Sequence, residues 1–580
     1  MVNVLIDNNK KKILLKNLIL YTLFVFLAFL YTYLAWKSNW IYVGHDRPFH
    51  LERLEEAYQN VKHGHFFVSL INSYSFGKIG QAIDAYYPWG NLLPYVIIRS
   101  LFSNPIISYY AYLTLNQFLG LLIAFYCSEK IYNSFNKGLL FTLILRFSTI
   151  VMFNDYTRVD IGESWAFVFV PMSFYGLYSL LQRKEYKKGC LLLSLGLSLE
   201  LYCHVMISFL TVVVMFLLLI VWMFDNYASS FNKQLVFKTF KSLLISIFLF
   251  ILNTLAITLP IIIFSRGIAL KLPDKAFFAT RQLSFSDFVT ASFNNDILSV
   301  INFGTIGIVI LIYCIANYYR FTKLSKSLFV VGFSLMLFST KLFPWYLLKN
   351  TIISSIQFGW RFMPFAFLLI VFIFVFEIDV SSFKAIVFSV AILILMIGSI
   401  TNFISEQSNY ADDALKSADA YSYNLNSKSY NNSLSYNHIV KNSYYLDYLP
   451  VTSLKKSGLT YNHIANINGK RVQLYEKNIS PIYQGEHYIF TNTDKVYRAE
   501  IPFVVYNLKD YVLKINGKQQ KVRISKNRLL YVESKKPIKN IDIKYITPKK
   551  FIYARYISLV SLLVTSLALI RVSLIGIKRD

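Results

Sequence analysis

Charge is scarce in this chain: 16% of its 580 residues are Asp, Glu, Lys or Arg, against about 25% in soluble domains. That scarcity excludes a disordered protein, which needs charge to stay solvated. Together with 55% hydrophobic residues and a mean hydropathy of +0.45, it also excludes a fibrous protein and an ordinary cytosolic enzyme. Acidic residues are scarcer still, 31 against 59 Lys and Arg, for a net charge of +28. No run of interleaved aromatic and basic residues resembles a nucleic-acid surface, so nucleic acid is not an expected partner. The basic excess fits cytoplasmic loops that orient membrane helices. Cysteine is almost missing: Cys127, Cys190, Cys203 and Cys314 lie in or beside apolar stretches, without a CxxC. A disulfide framework and a zinc site are not expected on that count, and the four read as small buried hydrophobes.

Long apolar runs are abundant. A hydrocarbon core of about 30 Å takes about 20 apolar residues as helix. Twelve spans follow: 14–36, 106–128, 138–153, 164–182, 189–203, 205–224, 241–264, 298–318, 327–345, 361–377, 383–404 and 552–573. The first follows Lys10-Lys11-Lys12 and reads as a retained helix rather than a cleaved signal. With the N-terminus in the cytoplasm, the connections 183–188, 233–241 and 320–326 and the tail 577–580 fall inside, and all are basic. The expectation is a multi-pass cell-membrane protein with both termini cytoplasmic.

The fold class is therefore a polytopic α-helical membrane protein of about twelve helices, with a β-rich extracytoplasmic domain before the last. Residues 1–404 form the transmembrane domain with a large first outer loop, 37–105. Residues 405–551 form the exterior domain, and 552–580 the last helix and tail. Residues 265–298 also face out and suit an interfacial helix. Within the exterior domain the stretch 405–448 is rich in Ser, Asn and Tyr and reads as loosely ordered. Further on, Tyr511-Val512-Leu513-Lys514-Ile515 leads through Asn516-Gly517 to Lys521-Val522-Arg523-Ile524, and Asn468-Gly469 precedes Arg471–Tyr475. Asn-Gly between alternating runs marks a hairpin, because both central residues need positive φ.

Ionisable residues next to apolar spans are costly to bury and mark function. Asp46, flanked by His45 and His50, opens a helical pattern over residues 48–62 with Leu51, Leu54 and Tyr58 on one side and Glu52 expected to face solvent. Two readings stand side by side: a helix cap, or a general base or metal ligand. Asp155, Arg158, Asp160 and Glu163 crowd the turn between the third and fourth spans, as a solvated turn or a site. Glu200 and His204 interrupt an apolar block, with Arg146 as a candidate hydrogen-bond partner. Arg361, at the mouth of the tenth span, either snorkels or holds a phosphate. All but Arg146 fall near one membrane face, which points to a reaction at the outer leaflet on a lipid-borne phosphate.

Gly44-His45-Asp46, Phe49–Leu54, Tyr156-Thr157-Arg158, Gly162–Phe167, Pro171, His204, Gln357–Phe362, Asp447–Pro450 and Ile501–Tyr506 resemble the YfhO-like and "6-pyruvoyl-tetrahydropterin synthase-related" bacterial membrane families, themselves similar to GT-C glycosyltransferases. The pterin label implies nothing here, since no soluble pterin-enzyme module is present. The resemblance implies transfer of a sugar from a polyprenyl-phosphate donor to a cell-envelope glycan acceptor (polysaccharide, teichoic acid or glycolipid) on the outer face of the bilayer. It gives Asp46 the role of base, with Asp160 and Glu163 as further catalytic residues that position substrate or help hold an ion. His45, His50, Arg53, Arg158, His204 and Arg361 become the substrate-binding set. GT-C enzymes differ in metal dependence, so a divalent cation stays open as cofactor and no metal ligand is assigned. Arg47-Pro48 after Asp46 breaks the Asp-X-Asp form, which counts against a metal at that point. The rival classes are a lipid-linked sugar flippase or transporter, and a non-catalytic scaffold for envelope assembly.

Overall fold

The computed structural model of the chain describes residues 2–37, 41, 46–229, 232–273, 281–416, 436, 445–490 and 495–577. His45, most of the stretch 405–448 and the tail beyond Ile577 lie outside the described residues.

Each of the twelve expected spans is built around a helix. Among the described residues nine helices are long and apolar enough to cross a membrane, from Leu15–Lys37 to Lys549–Leu574. The other three are Tyr186–Cys203, Gly304–Asn317 and Lys323–Phe338, of 18, 14 and 16 residues. The last two are shorter than expected: residues 298–303 and 339–344 are not helical, and 14 residues rise only about 21 Å. Conversely, the helix Ser382–Lys416 runs a dozen residues past the expected end at 404. A short helix, Phe285–Phe293, occupies the loop expected to hold an interfacial one, with Phe285 and Phe293 exposed.

The β-rich unit has ten strands: β1 Ile464–Ile467, β2 Lys470–Gln473, β3 Ile479–Ile482, β4 Gly485–Ile489, β5 Val496–Val504, β6 Tyr511–Ile515, β7 Lys518–Gln520, β8 Arg523–Ile524, β9 Leu529–Ile538 and β10 Asn540–Tyr545. They form two five-stranded antiparallel sheets, β2-β1-β5-β9-β8 and β3-β4-β10-β6-β7. Both Asn-Gly hairpins are present. Asn468-Gly469 joins β1 to β2 and Asn516-Gly517 joins β6 to β7, all four residues at positive φ. The return strand of the second hairpin is Lys518–Gln520, not the expected 521–524; that run crosses to the other sheet as β8.

At Gly485 the sheet leaves no room for a side chain. A Cβ there would stand 2.0 Å from the Ile543 carbonyl oxygen of paired strand β10. Gly485→Ala is expected to destabilise the protein by about 1–3 kcal/mol through overpacking. The measurement is thermal unfolding of the purified protein, together with faster proteolytic cleavage between residues 480 and 550.

The β unit is fused to the first loop by a common core. Leu70, Ile71 and Ile79 pack with Val504, Tyr506 and Ile543. The Val504 N–H donates to the Ile79 carbonyl at 2.8 Å, and the Ala82 N–H to the Tyr506 hydroxyl at 3.2 Å. Tyr461 and Phe503 lie against Gly77 and Gly80, both at positive φ, where no Cβ would fit. The loop is thereby pressed down on the helix Arg47–Lys62, whose residues Leu51 to Ala57 are all buried. Glu56 accepts hydrogen bonds from Ser69, Ser73, Tyr74 and Ser75, and Glu52 accepts one from the Phe76 N–H.

Candidate active site

Four separate segments meet at one end of the helical bundle. The chain leaves the third span through a wide helical turn, Phe153–Arg158, reverses at Val159 (φ 53°) and starts the helix Ile161–Leu181. Asp160 caps that helix, its Oδ1 accepting from the Glu163 N–H at 3.0 Å. This reversal puts Arg158, Asp160 and Glu163 side by side, and each is buried. The solvated-turn reading is therefore wrong for this segment.

Glu163 holds two guanidinium groups. Arg158 Nη1 donates to its Oε2 at 2.5 Å, and Arg361 Nε to its Oε1 at 2.8 Å. Arg361 comes from the short helical turn Gly359–Phe362, and its Nη1 also donates to the Ile356 carbonyl and to Gln357 Oε1. It does not snorkel. Arg158 Nη2 faces Asp160 Oδ2 at 3.3 Å and Asp46 Oδ2 at 3.4 Å, and its guanidinium lies 4.7 Å from the Trp360 ring centroid. A fork of donors meeting several carboxylates suits arginine better than lysine.

Asp160 is also met by histidines: His50 Nε2 at 3.2 Å and His204 Nε2 at 3.9 Å. The Tyr87 hydroxyl lies 3.4 Å from its Oδ1. Burial opposes charge on Asp160, yet His204, His50 and Arg158 outweigh it and hold the carboxyl well below the usual carboxylate range. Its charge therefore supports the fold above the ordinary pKa of about 3.9 and is lost only as pH falls lower.

Asp46 occupies the edge of this cluster. It precedes the helix Arg47–Lys62 without capping it: the side chain accepts no hydrogen bond from the helix, and the backbone N–H donates to the Arg158 carbonyl at 3.1 Å. Half of its side chain is exposed. Among the described ionisable groups of the cluster it is the one open to an incoming molecule.

Of the residues singled out from sequence, the structure thus joins Asp46, His50, Arg158, Asp160, Glu163, His204 and Arg361. Arg53 is not among them. It is fully buried, pairs with Asp84 at 2.9 Å, donates to the Pro88 carbonyl and stacks on Tyr87. Its effect on the cluster passes through Tyr87. Arg146 bonds Asn116 and Gln117, not Glu200 or His204, and Glu200 accepts from Ser173. Asp155 lies in a separate buried network with Tyr31, Gln117 and Ser164. Tyr87, Asn154 and Trp360 were not assigned from sequence. Asn154 could have been, since it stands one helical turn before Arg158 and accepts from it at 3.0 Å.

Among the described residues a divalent cation has one candidate cage. Ligand atoms of Asp160, Glu163 and His204 lie within 4.8 Å of one another, all buried. The donor set suits a hard or borderline cation. Arg158 and Arg361 already neutralise the same carboxylates, so an ion there would have to displace guanidinium contacts. The fit is therefore poor.

No protein-family model and no curated protein matches the sequence. The YfhO-like resemblance read from short motifs is thus without a matching family model. Among solved structures, the cryo-electron-microscopy structure of arabinofuranosyltransferase AftD from mycobacteria is similar to this chain, with a TM-score of 0.40 and 13% identity. The similarity covers 67% of this chain and 27% of that one, so the chain spans about a quarter of that protein.

Proposed function

We propose that the protein is a membrane glycosyltransferase that takes a sugar from a polyprenyl-phosphate donor and passes it to a cell-envelope glycan. The observation that carries this reading is the half-exposed Asp46 carboxylate held against a buried Arg158–Asp160–Glu163–Arg361 cluster at the end of the bundle. Such a transfer is a displacement at the anomeric carbon. The acceptor hydroxyl loses its proton as its oxygen forms the new glycosidic bond, and the bond to the lipid phosphate breaks with its electron pair going to the phosphate. Two needs follow: a base beside the acceptor, and positive charge beside the departing phosphate. Asp46 meets the first. Arg158 and Arg361 supply the second from fixed positions, with Glu163 and Asp160 orienting them rather than taking protons. His50 and His204 hold Asp160 in place.

The flippase reading draws on buried polar groups within the spans, Arg146 and Glu200. Both are engaged by neighbouring side chains, whereas Asp46 is open. The deciding measurement is transfer of a labelled sugar from synthetic polyprenyl-phosphate donors by the purified protein in vesicles. Translocation of donor without transfer would support the flippase; neither activity would support the scaffold.

Transfer outside the cytoplasm requires that the β unit and the connection near residue 184 lie on opposite sides. All four native cysteines are buried, so single introduced cysteines report topology cleanly. In intact cells a membrane-impermeant thiol reagent is expected to label Glu476→Cys, whereas Lys184→Cys should react only after permeabilisation. Protection of Glu476→Cys would place the cluster on the cytoplasmic side and overturn the donor chemistry.

A further inference from the structure

The helical bundle contains a cavity of about 530 Å³ that is lined by none of the residues of the Asp46–Glu163 cluster. Its size falls in the range of about 300–1,000 Å³ typical of small-molecule sites. The walls are apolar, with Phe174, Leu177, Leu218, Leu328, Leu368 and Phe372. Leu177 stands fourteen residues after Glu163 on the helix Ile161–Leu181, which is about 21 Å along the axis. The cavity thus belongs to the opposite half of the bundle from the cluster.

Its mouth is charged. Lys184, Lys323 and Asp225 line it together with Gln182. Lys323 Nζ lies 3.0 Å from Asp225 Oδ1, with 64% of the lysine side chain exposed. Lys184 is exposed and has no acidic partner among the described residues. Two lysines against one aspartate leave the rim with one net positive charge. The helix Lys323–Phe338 also begins here; the N–H and hydroxyl of its Thr322 cap donate to Glu377, which does not line the chamber, so the charge offered to a ligand is that of the lysines.

An apolar chamber with a cationic rim matches a molecule with an apolar chain and an anionic head. We propose that this cavity is a binding site for one acyl chain of an anionic phospholipid, with its phosphate held between Lys184 and Lys323. A polyprenyl chain is several times longer than an ordinary acyl chain and does not fit a chamber of this size. A zwitterionic phospholipid brings no net charge to the rim. The inference stands independently of the transferase reading, because the cavity and the cluster share no residue.

The test uses full-length protein purified in detergent, with bound lipid counted by native mass spectrometry. The probes are phosphatidylglycerol, phosphatidylcholine, glycerol 3-phosphate and undecaprenyl phosphate. One phosphatidylglycerol per chain is expected to survive mild activation, with phosphatidylcholine held at least tenfold more weakly and glycerol 3-phosphate not retained. Leu177→Trp and Leu368→Trp, which fill the chamber, are expected to abolish retention. Lys184→Ala with Lys323→Ala alters exposed side chains, so it decides the matter even where the filled variants fail to fold. About fivefold loss is expected per lysine for phosphatidylglycerol, with none for phosphatidylcholine. Equal retention of the two phospholipids, unchanged retention in a folded filled variant, or displacement by undecaprenyl phosphate would each overturn the proposal.

Discussion

Asp46→Asn is expected to lower sugar transfer by about 10²–10⁴-fold, the usual loss when a general base is removed, without loss of folded protein. The side chain is half exposed and caps nothing. Its charged contact is the buried Arg158 at 3.4 Å, which keeps Asp160 and Glu163 as counter-charges, so losing this half-exposed partner costs the fold little. Asparagine keeps the shape and can still accept from Arg158, so the change isolates the ability to take a proton. Glu52 cannot serve as the control. The expectation that it faces solvent is wrong: it is fully buried and accepts the Phe76 N–H. Glu476→Gln is the better control, because that side chain is 88% exposed on the β unit. Transfer would be compared at matched protein levels. A near wild-type rate for Asp46→Asn would remove it from the mechanism and move the search for a base to Asp160 and Glu163.

Glu163→Gln should act on the other side of the ledger, on folding. The carboxylate is buried between Arg158 and Arg361. Arg158 keeps Asp160 and Asp46 as counter-charges, but among the described residues the other hydrogen-bond partners of Arg361 are the Ile356 carbonyl and the Gln357 amide, both neutral. Removing one member of such a pair leaves a buried charge and costs about 3–5 kcal/mol, whereas replacing both with apolar groups is often nearly neutral. The double variant Glu163→Leu with Arg361→Met is therefore expected to unfold closer to wild type than Glu163→Leu alone. Denaturant titrations in detergent micelles check both statements. Wild-type stability in Glu163→Gln would mean that water reaches the pair and that the cluster is less dry than its burial implies.

The spans were legible because a helix in lipid needs one long apolar run, and nothing else in the chain resembles that. The two hairpins were legible because few residues besides Asn and Gly tolerate consecutive positive φ. Most of the cluster was legible for a third reason: Arg158, Asp160, Glu163 and Arg361 are charges at the ends of apolar spans, where solvation is poor. What failed is instructive. The helix Arg47–Lys62 was read as two-faced, with Glu52 on the solvent side. A long loop wraps it, so Glu52, Arg53 and Glu56 are buried as fully as Leu51 and Leu54, and hydrophobic periodicity carries no trace of a polar lining. Arg53 stands one turn beyond His50, yet its partner, Asp84, arrives from a segment that has no pattern of its own. The Asp46 cap failed likewise: local spacing favours it, and a residue 112 positions away takes the side chain instead.

The bond from Ala82 to Tyr506 joins residues 424 positions apart. A ribosome adding about 5–20 residues per second makes the loop roughly 20–85 s before the strand that presses it into place. During that interval the loop stands finished but unsupported beside the bilayer, with Leu70, Ile71 and Ile79 lacking their cover. The site therefore matures last. A chain stalled or truncated before residue 500 would insert all its membrane helices but the last and still present the loop to proteases and holding chaperones, making this the vulnerable moment in the protein's life.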